Sequence, residues 1–249
     1  MEAKPKPVRR RLLTRNRMGW AAIEVHNVSA LFVEECRSGS IGGADAPVLD
    51  LGAAYGLVGL AALQAGAWVI LNDLDQRHLD EAEASARPED RHRLTLRAGH
   101  FPRVIHFPDQ SLSAVHACNV LHFLSGRELE RGLRAIARWL KPGGRLFAQV
   151  VTPYLAPFQL FRTEYERRLQ EGVRWPGWIP KVSVYSQHRK LGQMPPAVHL
   201  LDDQILARAA TNSGLIVERS WMFQPADLPP DLTLDGREAA GLIARAPGV

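Results

Sequence analysis

Two short stretches of this chain combine residue types and spacing suited to holding a ligand. The first is Val48-Leu-Asp-Leu-Gly-Ala-Ala-Tyr-Gly56, where Gly52, Ala53, Ala54 and Gly56 form a small-residue turn after an apolar run. Such a turn lets a ligand approach the backbone, and a helix that follows it offers free N–H groups. It is not the dinucleotide fingerprint G-x-G-x-x-G, because Ala54 replaces the middle glycine and the third is missing. That disfavours the close seating of a pyrophosphate, and a nicotinamide dehydrogenase with it. An amino-acid carboxylate and a nucleoside make a smaller demand. The second stretch ends at Asp73, 21 residues after Gly52. An acid there can accept both hydroxyls of a ribose. Asp75 competes for that role but is better suited to cap a helix starting at Gln76.

Three histidines are candidates for proton transfer. His122 stands just beyond an apolar run and is the best placed as a general base; His188 and His199 lie in a less regular region. A packed or surface histidine is the alternative for each. Tyr154, Phe158, Trp175, Trp178 and Tyr185 offer broad apolar faces, four of them with a polar handle (the tyrosine hydroxyls and tryptophan N–H groups), within one segment. With His122 and His199 they are the expected acceptor-side residues, suited to a planar or mostly apolar ligand. Their alternative is a second small aromatic core. The sequence shows no metal-binding motif, since Cys36 and Cys118 are the only cysteines.

The elements that must position these residues follow a regular rhythm. Trp20–Glu35 reads as an amphipathic helix, with a glycine-containing loop after it. Residues 47–52, 68–73, 94–99, 114–120 and 145–151 read as buried strands, with helices over 56–65, 76–86 and 127–140. This alternation predicts an α/β fold, a doubly wound, mostly parallel sheet with helices on both faces. After Thr152 the rhythm stops, so residues 152–200 read as an irregular, aromatic-rich insertion covering the site. Regularity returns with Asp202 capping a helix to about Ser213. Strands over 215–223 and 239–246 complete seven, the last of them antiparallel. Asp235-Gly236 reads as the turn into that strand. The division expected is a tail over 1–19 and one domain over 20–249, made of a ligand-binding half (20–151), the insertion (152–200) and closing elements (201–249).

The overall charge of +5 conceals a division. Residues 1–20 hold seven Lys/Arg and one acid, leaving 24 basic and 25 acidic side chains for the rest. The body therefore has no general attraction for polyanions, while residues 1–17 could dock nucleic acid or an acidic surface. A solvated leader is the simpler reading of that tail. Of the 249 residues 46% are hydrophobic, and no apolar run nears the length of a membrane span. With only two cysteines, a reducing cytoplasm is the expected location.

The motifs VLDLGAAYG, NDLDQRHL, ACNVLHFLSG and WLKPGGRLF, in this order, resemble the class I methyltransferases that use S-adenosylmethionine and have a Rossmann-like seven-stranded sheet. The resemblance covers residues 47–151 and, more loosely, the last two strands. It implies that Asp50, Gly52, Ala53, Ala54 and Gly56 line the methionine end of the cofactor and that Asp73 holds the ribose. Asn119 and Val120 would lie beneath the sulfonium. Where the family commonly places an acid for the adenine, this chain has Gly99-His100-Phe101, so the resemblance implies backbone contacts there and packing on Phe101 or Leu74. The family often has a packed histidine where His122 stands.

The resemblance specifies the donor, S-adenosylmethionine, and says little of the acceptor. The compact body and the aromatic segment favour a small-molecule acceptor methylated at O or N. A methyltransferase of RNA or protein using the basic tail is an alternative, although strand four lacks an Asn-Pro-Pro-Tyr type of ending. A fold that binds the cofactor without transferring methyl groups is another.

Overall fold

Val48–Leu51 forms β3, the strand around which the rest is built. In the computed structural model all four of its residues are buried. The structure describes residues 12–17, 19–21, 23–186, 188 and 195–248. In chain order the elements are β1 (Leu12–Leu13), β2 (Trp20–Ala21), α1 (Asn27–Arg37), β3, α2 (Leu57–Gln64), β4 (Val69–Asp73), α3 (Gln76–Ser85), β5 (Leu94–Ala98), β6 (Leu112–Cys118), α4 (Gly126–Trp139), β7 (Leu140–Val151), α5 (Gln159–Gln170), β8 (Trp178–Ile179), β9 (Val198–His199), α6 (Asp203–Thr211), β10 (Ile216–Phe223) and β11 (Ala239–Arg245).

Seven strands form one sheet in the order β10-β11-β7-β6-β3-β4-β5. β3 pairs in parallel with β4 and β6, and β7 with β6. β11 runs antiparallel to both β7 and β10, as expected of the closing strand. Strand order reverses between β3 and β6, so the crevice for a ligand lies beyond the carboxyl ends of these two strands. Alternation along each strand feeds two layers. Val48 packs with Phe32, Leu63, Leu79 and Phe147 beneath α1, α2 and α3. Leu49 and Leu51 face the opposite layer, with Leu129, Leu133, Ile136 and Trp139 of α4 and Leu206 of α6.

Local chemistry explains where helices start. Asp75 caps α3, accepting from the Arg77 N–H. Ser125 and Glu128 form a capping box on α4, and Asp202 caps α6 by accepting from Ile205 N–H at 2.7 Å.

Two expectations are corrected. The helix expected from Trp20 begins only at Asn27. Trp20–Ala21 instead pairs antiparallel with Leu12–Leu13, because Thr14 and Gly19 close the intervening turn through Thr14 N–H to Gly19 O and Gly19 N–H to Thr14 Oγ1. Residues 1–11 of the expected tail lie outside the described residues. The insertion 152–200 is also less irregular than expected, since it contains the twelve-residue α5 and the β8–β9 pair. Helix α5 buries only Phe161 and Tyr165 and lines its other faces with Arg–Glu pairs, so its sequence carries little apolar period. Among the described residues no helix is long and apolar enough to cross a membrane.

Candidate functional site

A cavity of about 330 Å3 opens at the carboxyl ends of β3, β4, β6 and β7. Asp50, Gly52, Ala53, Ala54, Asp73, Leu74, Gly99, His100, Phe101, Asn119, Val120, His122 and Phe158 all line it. Gly56, Tyr154, Trp175, Trp178, Tyr185, His188 and His199 do not.

The glycine-rich turn is held from inside. Asp73 Oδ2 accepts from the Ala54 N–H at 2.9 Å, while its Oδ1 accepts from the Asp75 N–H at 2.9 Å and faces His78 Nδ1 at 3.0 Å. Asp73 thus fixes both the turn after β3 and the start of α3, and Oδ2 keeps acceptor capacity for a further donor. Gly52 has φ +70°, and a Cβ there would come within 2.9 Å of Val120 Cγ2, so only glycine lets this turn approach the loop after β6. Gly56 serves packing instead. A Cβ on it would meet Ala82 Cβ at 2.7 Å, between α2 and α3, which is why it is absent from the cavity wall.

Asp50 is less available to a ligand than its position suggests. Its Oδ2 accepts from the Gly59 N–H at 2.9 Å, and its Oδ1 from His116 Nδ1 at 2.7 Å. His116 Nε2 reaches Ser29 Oγ at 2.9 Å, so α1, β6, β3 and α2 are joined through one buried chain. Ser29, His116 and Asp50 have the order of a hydrolytic triad. Burial alone would lower the His116 pKa, but Cys118 and the Asp50 carboxylate outweigh it and push the group up to about 10. An imidazolium that donates from both nitrogens cannot take a proton from Ser29, so the chain braces the sheet rather than activating a nucleophile.

His122 sits in the 3-10 turn after β6, buried and tilted against Phe123 with 4.3 Å between ring centroids. Burial, with a smaller contribution from His199, pulls its pKa down to about 3. It is neutral at working pH and a weak proton acceptor, which argues for a packing or hydrogen-bonding role over that of general base. His199 is wholly buried, its Nδ1 bonded to Leu124 O at 3.1 Å, and burial lowers its pKa to about 4. Trp175 and Trp178 stand edge-on to that ring, at 5.0 and 5.7 Å.

The remaining aromatics also pack among themselves. Tyr185 meets Phe161 at 4.8 Å and Tyr154 meets Tyr165 at 6.4 Å, while Arg237 lies over the Tyr154 ring at 3.7 Å. His188 faces Asp231 at 3.4 Å, away from the cavity wall. Of the expected acceptor-side residues, His122 and Phe158 reach the cavity wall, and Tyr154, Trp175, Trp178, Tyr185 and His199 do not. Large rings bury most area by stacking within the insertion, and smaller aliphatic residues are left to form its inner surface. That surface includes Leu155, Val182 and Val198 of the insertion, with Leu228 and Leu232 from the loop before β11 beside them.

Sequence reasoning missed three contributors. Thr14, Asn16, Gly19 and Ala21 of the amino-terminal hairpin line the cavity, although the basic residues around them read as a tail. His116 carried a usable signal, a titratable residue in the middle of an apolar strand. So did Glu238, a charge directly before the apolar run of β11. Its Oε1 accepts from the N–H groups of Leu234, Asp235 and Gly236 at 2.6, 2.8 and 3.0 Å.

The donor set suits a nucleoside joined to an amino acid. The cavity couples a carboxylate at the end of β4, a turn that only glycine permits, and the half-buried His100, whose Nδ1 is buried without a partner among the described residues. Among the described residues no group of three or more His, Cys, Asp or Glu is arranged to hold a metal ion.

Comparison with known proteins agrees with this reading. Residues 48–144 match the family model described as a methyltransferase domain. No curated protein sequence matches the chain. Among solved structures, the chain is similar to a SAM-dependent methyltransferase from Methanosarcina mazei (TM-score 0.63, 16% identity, 85% of this chain and 97% of the other). It is also similar to an S-adenosylmethionine dependent methyltransferase from Mesorhizobium loti (0.61, 21%, 88% and 98%) and to the CcbJ methyltransferase from Streptomyces caelestis (0.60, 18%, 89% and 89%). At these identities the likeness is one of fold.

Proposed function

We propose that the chain, whose residues 48–144 match a methyltransferase-domain model and whose fold is like that of S-adenosylmethionine-dependent methyltransferases, methylates an oxygen or nitrogen atom of a small, mostly apolar acceptor. One observation carries the acceptor reading. The cavity that begins at Gly52 and Asp73 continues past Asn119 and His122 to a roof of Leu155, Phe158, Val182 and Val198. A roof of this kind excludes water and seats an apolar body beside the donor end.

When bound, S-adenosylmethionine supplies a methyl group already activated on a sulfonium. The residues of the chain then have mainly to orient and enclose. Asp73 would accept from ribose hydroxyls through its Oδ2, and His100 Nδ1 would meet the adenine end. Asn119, held at φ +59° with its N–H on Gln149 O at 2.8 Å, shapes the floor between the two halves. Since His122 is a weak base, the attacking atom arrives with its lone pair free, as a neutral amine or a phenolate, and any proton it sheds leaves to solvent.

The test is mass detection of methyl transfer from isotopically labelled cofactor to a panel of apolar amines and phenols, beside calorimetry with S-adenosylhomocysteine. Binding of S-adenosylhomocysteine together with labelled product is the expected result. Binding without transfer to any O or N acceptor would overturn the acceptor reading.

A further inference from the structure

Glu238 is a buried carboxylate that no ion pair among the described residues neutralises. It directly precedes β11, and its backbone carbonyl accepts from Thr152 N–H at 3.2 Å, just past the end of β7. This places it at the carboxyl edge of the sheet, on the far side of β7 from Asn119 and His122. Its side chain is 1% exposed and lines the same cavity.

The two carboxylate oxygens differ. Oε1 sits in the nest of three backbone N–H groups formed by Leu234, Asp235 and Gly236. Three donors on one oxygen fix the direction of the group. Oε2 is buried and has no partner among the described residues. The nearby guanidinium groups are committed elsewhere: Arg237 pairs with Asp235 and covers the Tyr154 ring, and Arg162 pairs with Glu166 and Asp235. Leu155, Phe158, Leu228 and Leu232 line the cavity there as apolar surface, with Gln149 of β7 the nearest polar side chain on the adjoining strand. A desolvated anionic oxygen in such surroundings is costly unless a ligand supplies the missing donor.

We propose that Glu238 Oε2 is the anchor for a protonated amine on the acceptor, so that the substrate is an apolar molecule carrying an ammonium group. This rests on the methyltransferase reading above and names the class of acceptor within it. A cation answers the bare oxygen better than a hydroxyl does, because an ammonium gives a carboxylate oxygen a charge-assisted hydrogen bond that a neutral hydroxyl does not, and the oxygen faces Leu155, Phe158, Leu228 and Leu232. The ammonium has no lone pair with which to attack the methyl group. The methylated atom therefore lies elsewhere on the acceptor, and Glu238 sets orientation and selectivity rather than proton transfer.

The experiment uses the full chain saturated with S-adenosylhomocysteine and two probes of similar shape, 4-phenylbutylamine and 4-phenylbutanol. Calorimetry is expected to show the amine binding at least about tenfold more tightly than the alcohol, the difference a charged hydrogen bond supports. Glu238→Gln should bring the two affinities together while leaving S-adenosylhomocysteine affinity unchanged. Equal affinities in the wild-type protein, failure of the amine to bind, or a preference that persists in Glu238→Gln would overturn the proposal. The wild-type preference is decisive by itself if the variant does not fold. Failure of S-adenosylhomocysteine to bind the wild-type chain would instead strike the underlying reading, so the two failures are distinguishable.

Discussion

Lowering the pH from 7 to 5 probes the two buried neutral histidines directly. Burial pulls the pKa of His122 from 6.5 down to about 3 and that of His199 to about 4. With folded-state values below the unfolded ones, the unfolded chain takes up protons first as the pH falls. The stabilisation is therefore complete above about pH 6.5 and is lost progressively toward pH 4. At about 1.4 kcal/mol per pH unit for each proton, each ring costs about 2 kcal/mol at pH 5, and the pair about 4. His116 acts in the opposite sense. Its folded-state pKa is raised, so its contribution is full below about pH 6.5 and is lost as the pH rises toward 10; between pH 7 and 5 it returns less than about 1 kcal/mol.

The informative variant is His199→Asn, whose amide can still donate to Leu124 O but does not titrate. Urea unfolding of both proteins at pH 7, 6 and 5 gives the comparison. The variant should be less stable at pH 7, through lost packing on Trp175 and Trp178, yet should lose about 2 kcal/mol less than the wild type on going to pH 5. Parallel losses in the two proteins would refute the burial argument, since carboxylates common to both cancel in the difference.

Two further variants test the donor half of the site and the roof. Asp73→Asn should weaken S-adenosylhomocysteine binding by at least about tenfold in calorimetry, because the amide meets three donors where the carboxylate met them as an anion; unchanged affinity would remove Asp73 from the cofactor site. Gly177→Ala would set a Cβ 1.7 Å from Leu200 O, beside the bond from Leu200 N–H to Gly177 O. A loss of about 3 kcal/mol or more in urea unfolding is expected, and a wild-type midpoint would show that the segment before β8 yields freely.

The sequence itself determined the frame and the donor side. The apolar runs ending at Gly52 and Asp73, the glycine stops and the capping residues are local signals with a fixed period, and they placed β3 to β7, α2, α3 and α4 within a few residues. They also brought together most of the residues assigned to the donor half, because those follow directly on the strands whose order the alternation implies. Local signals could not say which face of the insertion turns inward. Trp175, Trp178, Tyr154 and Tyr185 have the composition of a binding surface, but their rings pack on His199, Tyr165 and Phe161, and aliphatic residues distant in sequence take the inner face. The bonding of Asp50 and Asp73 was equally hidden, since their partners His116 and Ala54 come from neighbouring strands and turns. Glu238 shows the same limit: its charge is plain in the sequence, but only the closing turn around Gly236 leaves one of its oxygens saturated and the other bare. Periodicity is a property of one segment, whereas a site is made by several segments competing for the same buried donors and surfaces, and only the folded chain decides that competition.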